Sequence, residues 1–97
     1  MKVCFTVPCE LPGATEDKAF RKMVELPFIP QVGMTCLIIA NGSHMALKVN
    51  DITWCEKLPD EPEEPDIEVV LTNLNGVAAK NFYKKAADDP NWEEGFI

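Results

Sequence analysis

Val3, Phe5 and Val7 alternate with Cys4 and Thr6, a two-residue period that turns one face of a strand toward a core. Leu11-Pro12-Gly13-Ala14 follows as a turn, since proline presets the backbone and glycine accepts positive φ. The next stretch carries two patterns. Thr15 could cap a short helix with Glu16 and Asp17 in its first turn and Ala19, Phe20, Met23 and Val24 on one side. Val24, Leu26 and Phe28, however, alternate with Met23, Glu25 and Pro27, and Pro27 and Pro30 block a helix. The expected element is a strand from about Ala19 to Phe28.

Pro30-Gln31-Val32-Gly33 reads as a turn into a strand over Met34 to Ala40. Its centre, Leu37-Ile38-Ile39, is apolar at every position, which predicts cover on both faces. Asn41-Gly42 is a hairpin signal, and the following strand begins near His44. There the apolar set is Met45, Leu47 and Val49, then Ile52 and Trp54, so the parity changes at Asn50-Asp51. Either a β-bulge bends one long strand or a tight hairpin makes two short ones. Ile67, Val69 and Leu71 form the cleanest alternating strand. Asn73 or Asn75 then caps a helix over about 75–87, with Lys80, Lys84 and Lys85 toward its C-terminal half and Pro90 beyond its end.

This order predicts a mainly β (α+β) fold, a strongly bent antiparallel five-stranded sheet or small open SH3-like barrel with a C-terminal helix. The chain of 97 residues is expected to form a single small domain, with an acidic proline-rich spacer at 56–66 and a tail at 88–97. The core is expected to hold Val3, Phe5, Val24, Leu26, Leu37, Ile39, Leu47, Val49, Trp54, Ile67, Val69, Leu71 and Phe82.

Charge adds a second feature. The net charge is −7, yet residues 1–48 are close to balanced and the acidity lies in residues 49–97, concentrated in the spacer among Pro59, Pro62 and Pro65. Such a surface repels phosphate backbones and anionic bilayers, so direct nucleic-acid binding and membrane adsorption are disfavoured. The longest apolar run, Cys36 to Ala40, falls far short of the about 20 residues a membrane-spanning helix needs. With no export signal visible in the first residues, a cytoplasmic location is the default expectation.

Candidate chemistry is sparse. The one histidine, His44, stands beside a turn, and no nucleophile–base pair or phosphate loop is recognisable. Cys4, Cys9, Cys36 and Cys55 lack the spacing of a zinc site and are read as reduced thiols, with Cys9 expected to be the most exposed of them and Cys36 and Cys55 lying inside strand-like runs as small apolar side chains. No catalytic residue, metal or cofactor is therefore assigned, and the chain is not expected to be an enzyme. The favoured expectation is a small acidic binding, adaptor or inhibitor module that contacts a basic protein surface through Asp60, Glu61, Glu63, Glu64, Trp92 and Phe96. Trp92 and Phe96 could equally cap the domain's own core. The alternative class is a self-associating structural protein, a homodimer for instance, and the third a small-molecule-binding protein or enzyme with an unrecognised site.

Overall fold

The computed structural model describes residues 1–13, 18–61 and 64–96, with Phe96 described by its backbone. The ambiguous start at Ala14 to Asp17, together with Pro62, Glu63 and Ile97, lies outside the described residues. The chain runs β1 (Lys2–Glu10), β2 (Lys18–Glu25), β3 (Thr35–Ala40), β4 (Ser43–Trp54), β5 (Ile67–Leu71), β6 (Leu74–Asn75), α1 (Gly76–Ala87) and β7 (Glu93–Phe96). The strands form one strongly curled open sheet in the order β3-β4-β5-β1-β2-β7, a half-barrel with the helix packed at one end. Mainly β architecture with a C-terminal helix is thus what the patterning predicted. The short β6 and β7 are additional to the five expected strands.

Strand β1 lies inside the sheet. It pairs antiparallel with β2 and parallel with β5, and its last two residues pair with β6. Because β4 turns back from β3 and β5 turns back from β4, β5 runs in the direction of β3, and β1 shares that direction. Pro8 sits where the β5 partner has ended at Thr6 and β6 has not yet begun at Cys9, so a residue with no N–H to donate falls in a gap of the ladder.

The turn at Asn41-Gly42 has φ of 47° and 79°, the left-handed pair that a tight hairpin requires, and it joins β3 to β4. The parity change in β4 is a bulge between Val49 and Asp51, so the reading as one long bent strand holds and the two-hairpin alternative fails. Strand β2 ends at Glu25 rather than near Phe28, since Pro27 cannot donate to a ladder and Phe28 is exposed. Asn75 occupies the N-cap position of α1 without a side-chain cap bond, and Asn73 donates instead to Glu10 at 3.3 Å.

The concave face buries Val3, Phe5 and Val7 of β1, Phe20 of β2, Leu47 and Val49 of β4, and Ile67, Val69 and Leu71 of β5. Phe82 of α1 packs edge-on against Phe20, with ring centres 5.7 Å apart, and edge-on against Trp92 at 5.3 Å. Val24 and Leu26 pack against the margin of this core, half-buried.

Three expected core residues are not in it. In β3 the register with β4 sets Ile38 opposite Met45 on the concave side, and Ile38 is buried. Leu37 and Ile39 therefore face outward, 68% and 45% exposed, where no second layer among the described residues covers them. A wholly apolar triplet has no alternation from which its phase could be read. Trp54 has the expected phase, being opposite Ile67, but it closes the last row of β4 at the far end from α1, which packs against β1, β3, β6 and β7. It is 72% exposed.

Strands β3 and β7 are the two ends of the sheet, and side chains span the gap that strand pairing leaves open. The Lys22 ammonium reaches from β2 to the Ile39 carbonyl at 3.1 Å, and the Trp92 indole N–H donates to the same oxygen at 3.0 Å. Asp89 accepts from the backbone N–H of Asn41 at 2.9 Å and of Asn91 at 2.9 Å. These two backbone bonds, Asn41 first, hold its carboxyl below the usual carboxylate range.

Candidate functional site

The acidic spacer is the connection between the adjacent antiparallel strands β4 and β5. Cys55 N–H donates to the Asp66 carbonyl at 3.0 Å, which extends the ladder one step past the Trp54–Ile67 pair before the chain leaves the sheet. A turn then closes with Glu61 N–H on the Leu58 carbonyl at 3.0 Å, and Pro59 takes the second turn position that its fixed φ suits. Glu64 N–H donates back to the Glu61 carbonyl at 3.3 Å.

Asp66 fixes the base of this loop. Its N–H donates to the Lys2 carbonyl and its carboxylate accepts from the Lys2 N–H, both at 2.8 Å, while Lys57 Nζ lies 2.7 Å from the other carboxylate oxygen. The Lys57 hydrogen bond first, then the Lys2 N–H, depress the Asp66 pKa. Pro65 is buried beside it, whereas Asp60, Glu61 and Glu64 are exposed. The loop is therefore tied down at its base and presents carboxylates at its tip.

Beside the loop, on the convex face of the sheet, lies a cavity of about 580 Å³. Cys4 of β1 and Met23 of β2, directly opposite each other in register, line it together with Arg21. Glu64 and Pro65 form the loop wall, and Pro90, Asn91 and Glu93 form the wall at the approach to β7. Arg21 stands opposite Glu93 and pairs with Glu68 of β5 at 3.1 Å. One guanidinium thus already lies among carboxylates on this face, in an ion pair with Glu68 and within electrostatic reach of Glu93, while Glu64 makes no ion pair among the described residues.

The structure brings together some of the residues expected at a binding surface and separates others. Asp60, Glu61 and Glu64 share the loop, while Glu63 and the Phe96 side chain lie outside the described residues. Trp92 is only 6% exposed, and of the two roles open to it the structure places it in the core. Arg21, Met23 and Glu93 escaped the sequence reading, because their meeting depends on pairing between strands distant in the chain.

The thiols also differ from expectation. Cys9 is fully buried, because β1 continues through Pro8 to Glu10 and turns Cys9 onto the core face, and burial pushes its pKa up to about 11. Cys36 lies in β3 and packs, half-buried, against the margin of the core, as expected, whereas Cys55 lies just past the end of β4 and is half-exposed. His44 is exposed at the start of β4. Among the described residues no cluster of three or more His, Cys, Asp or Glu side chains is arranged to hold a metal ion, and no helix is long and apolar enough to cross a membrane. Comparison with known protein families, with characterised proteins and with solved structures finds no significant match.

Proposed function

We propose that this protein is a non-catalytic acidic binding module, an adaptor or inhibitor of small SH3-like barrel type, that meets a basic protein surface in the cytoplasm through the β4–β5 loop. One observation carries the reading: the loop is anchored at Asp66 and Pro65, so its exposed carboxylates are presented from a fixed base. Preorganised charge of this kind loses less conformational entropy on binding and mainly accelerates encounter. The contact set is Asp60, Glu61 and Glu64, with Glu63 and Phe96 retained from the sequence and Trp92 withdrawn to the core.

The test is association with immobilised poly-lysine, comparing the wild type with a variant carrying Ser at positions 60, 61, 63 and 64. The wild type is expected to associate several-fold faster at low salt, with the difference vanishing as salt screens the charges. Equal rates and equal salt dependence in the two proteins would remove the loop from function.

A second reading, homodimerisation, is favoured by β3, an end strand whose outward Leu37 and Ile39 are exposed. Light scattering decides it, since a monomer at all accessible concentrations excludes this reading and leaves the first untouched.

A further inference from the structure

The cavity beside the loop has the composition of a receptor for a basic side chain. Its walls combine carboxylates at two sides, Glu64 and Glu93, with the apolar surfaces of Met23, Pro65 and Pro90. A long cationic side chain needs such a mixture, because its aliphatic stem covers apolar surface while its charged head seeks oxygen acceptors. We propose that this groove takes an arginine side chain from the basic partner, with the stem along Met23 and the two prolines and the guanidinium between Glu64 and Glu93. The inference rests on the proposed function and names the feature of the partner that the site would select.

Charge balance decides the sign of the ligand. Arg21 is the only cation among the described residues that line the groove; it pairs with Glu68 and also interacts with Glu93, so one positive charge faces the carboxylates of Glu64, Glu68 and Glu93 and the site stays anionic. An anion would have to displace Glu68 from Arg21 and sit close to two further carboxylates. A second cation instead meets carboxylates in excess of the one guanidinium. Arginine is favoured over lysine because its planar fork can engage carboxylates on two walls at once, whereas an ammonium is a more strongly hydrated point charge. At about 580 Å³ the cavity has room for one such side chain and the backbone that carries it.

The site is separable from the loop tip, since Met23 and Glu93 belong to β2 and β7 while Asp60 and Glu61 do not line the cavity. Hexa-arginine and hexa-lysine peptides, titrated into the isotopically labelled full chain at low salt and followed by amide chemical shifts, provide the test. Hexa-arginine is expected to bind more tightly than hexa-lysine and to shift the amides of Cys4, Met23, Asn91 and Glu93. Glu93→Gln removes one charged acceptor and is expected to weaken hexa-arginine about tenfold. Met23→Ala changes no charge, and is expected to weaken it about threefold through lost stem packing. Both substitutions are on exposed side chains, and the spectrum of each free variant reports whether it is folded. Hexa-arginine that binds with shifts confined to Asp60 and Glu61, unaffected by either substitution, would overturn the groove while leaving the loop reading intact. Absence of hexa-arginine binding also overturns the groove, and poly-lysine association then judges the loop by itself.

Discussion

The indole N–H of Trp92 donates to the carbonyl oxygen of Ile39 across 3.0 Å, joining the segment before β7 to β3 at the opposite end of the sheet. Strand pairing alone leaves the half-barrel open at this seam. Trp92 also packs edge-on against Phe82, so one side chain ties the helix, the seam and the core together. Removing the ring in Trp92→Ala is expected to cost about 3–5 kcal/mol in chemical denaturation. Trp92→Phe keeps most of the ring and loses the bond, and Ile39 O retains Lys22 as a donor, so about 1 kcal/mol is expected. Equal losses in the two variants would mean that the indole N–H, rather than packing, dominates.

The two tryptophans should be spectroscopically distinct. Trp54 is exposed and Trp92 buried, so Trp54→Phe is expected to shift the emission to shorter wavelength and to make it resistant to acrylamide. Emission unchanged by this substitution would place both rings in the same surroundings.

Acid should weaken the fold through Asp89 and Asp66. Both carboxyls titrate below their ordinary range in the folded chain, Asp89 through the N–H groups of Asn41 and Asn91 and Asp66 through Lys57 and the Lys2 N–H. A depressed folded pKa supplies stability that is present above the unfolded value and lost as pH falls through the folded one. The loss is therefore expected below about pH 4. Asp89→Asn should be less stable than the wild type at neutral pH, with the difference shrinking in acid. A constant difference across pH would mean that Asp89 acts through shape rather than charge.

Base acts through Cys9. This thiol titrates near about 8.5 in an unfolded chain but only at about 11 in the fold, so stability should decline as pH climbs between those values. Native alkylation at pH 8 should reach Cys36 and Cys55, both half-exposed, before Cys4 and Cys9, both buried. Peptide mapping by mass spectrometry reads the order, and early labelling of Cys9 would contradict its burial.

Leu71→Ala and Leu37→Ala compare two leucines of opposite burial. Leu71 is fully buried and its truncation is expected to cost about 2–5 kcal/mol, whereas Leu37, exposed on β3, should change stability by no more than about 0.5 kcal/mol. Similar costs at the two sites would mean that the outer face of β3 is covered in solution.

Local pattern was enough wherever the physical cause is local. The alternation in Val3-Phe5-Val7 and Ile67-Val69-Leu71 identified strands and their inward faces, because each needs only one covered side. Asn41-Gly42 identified the hairpin through its tolerance of positive φ, and the parity change after Val49 marked the bulge. The acidic loop was legible from composition and prolines. Tertiary structure decided whatever depended on which layer covers which face. It chose Ile38 over Leu37 and Ile39 through the register with β4, and it left Trp54 beyond the reach of α1. Trp92 was drawn inward because its indole found both Phe82 and the Ile39 carbonyl on β3, and Arg21, Met23 and Glu93 were assembled beside the loop by pairings far apart in the chain. Periodicity specifies a side chain's direction; only the packed neighbours specify what it meets there.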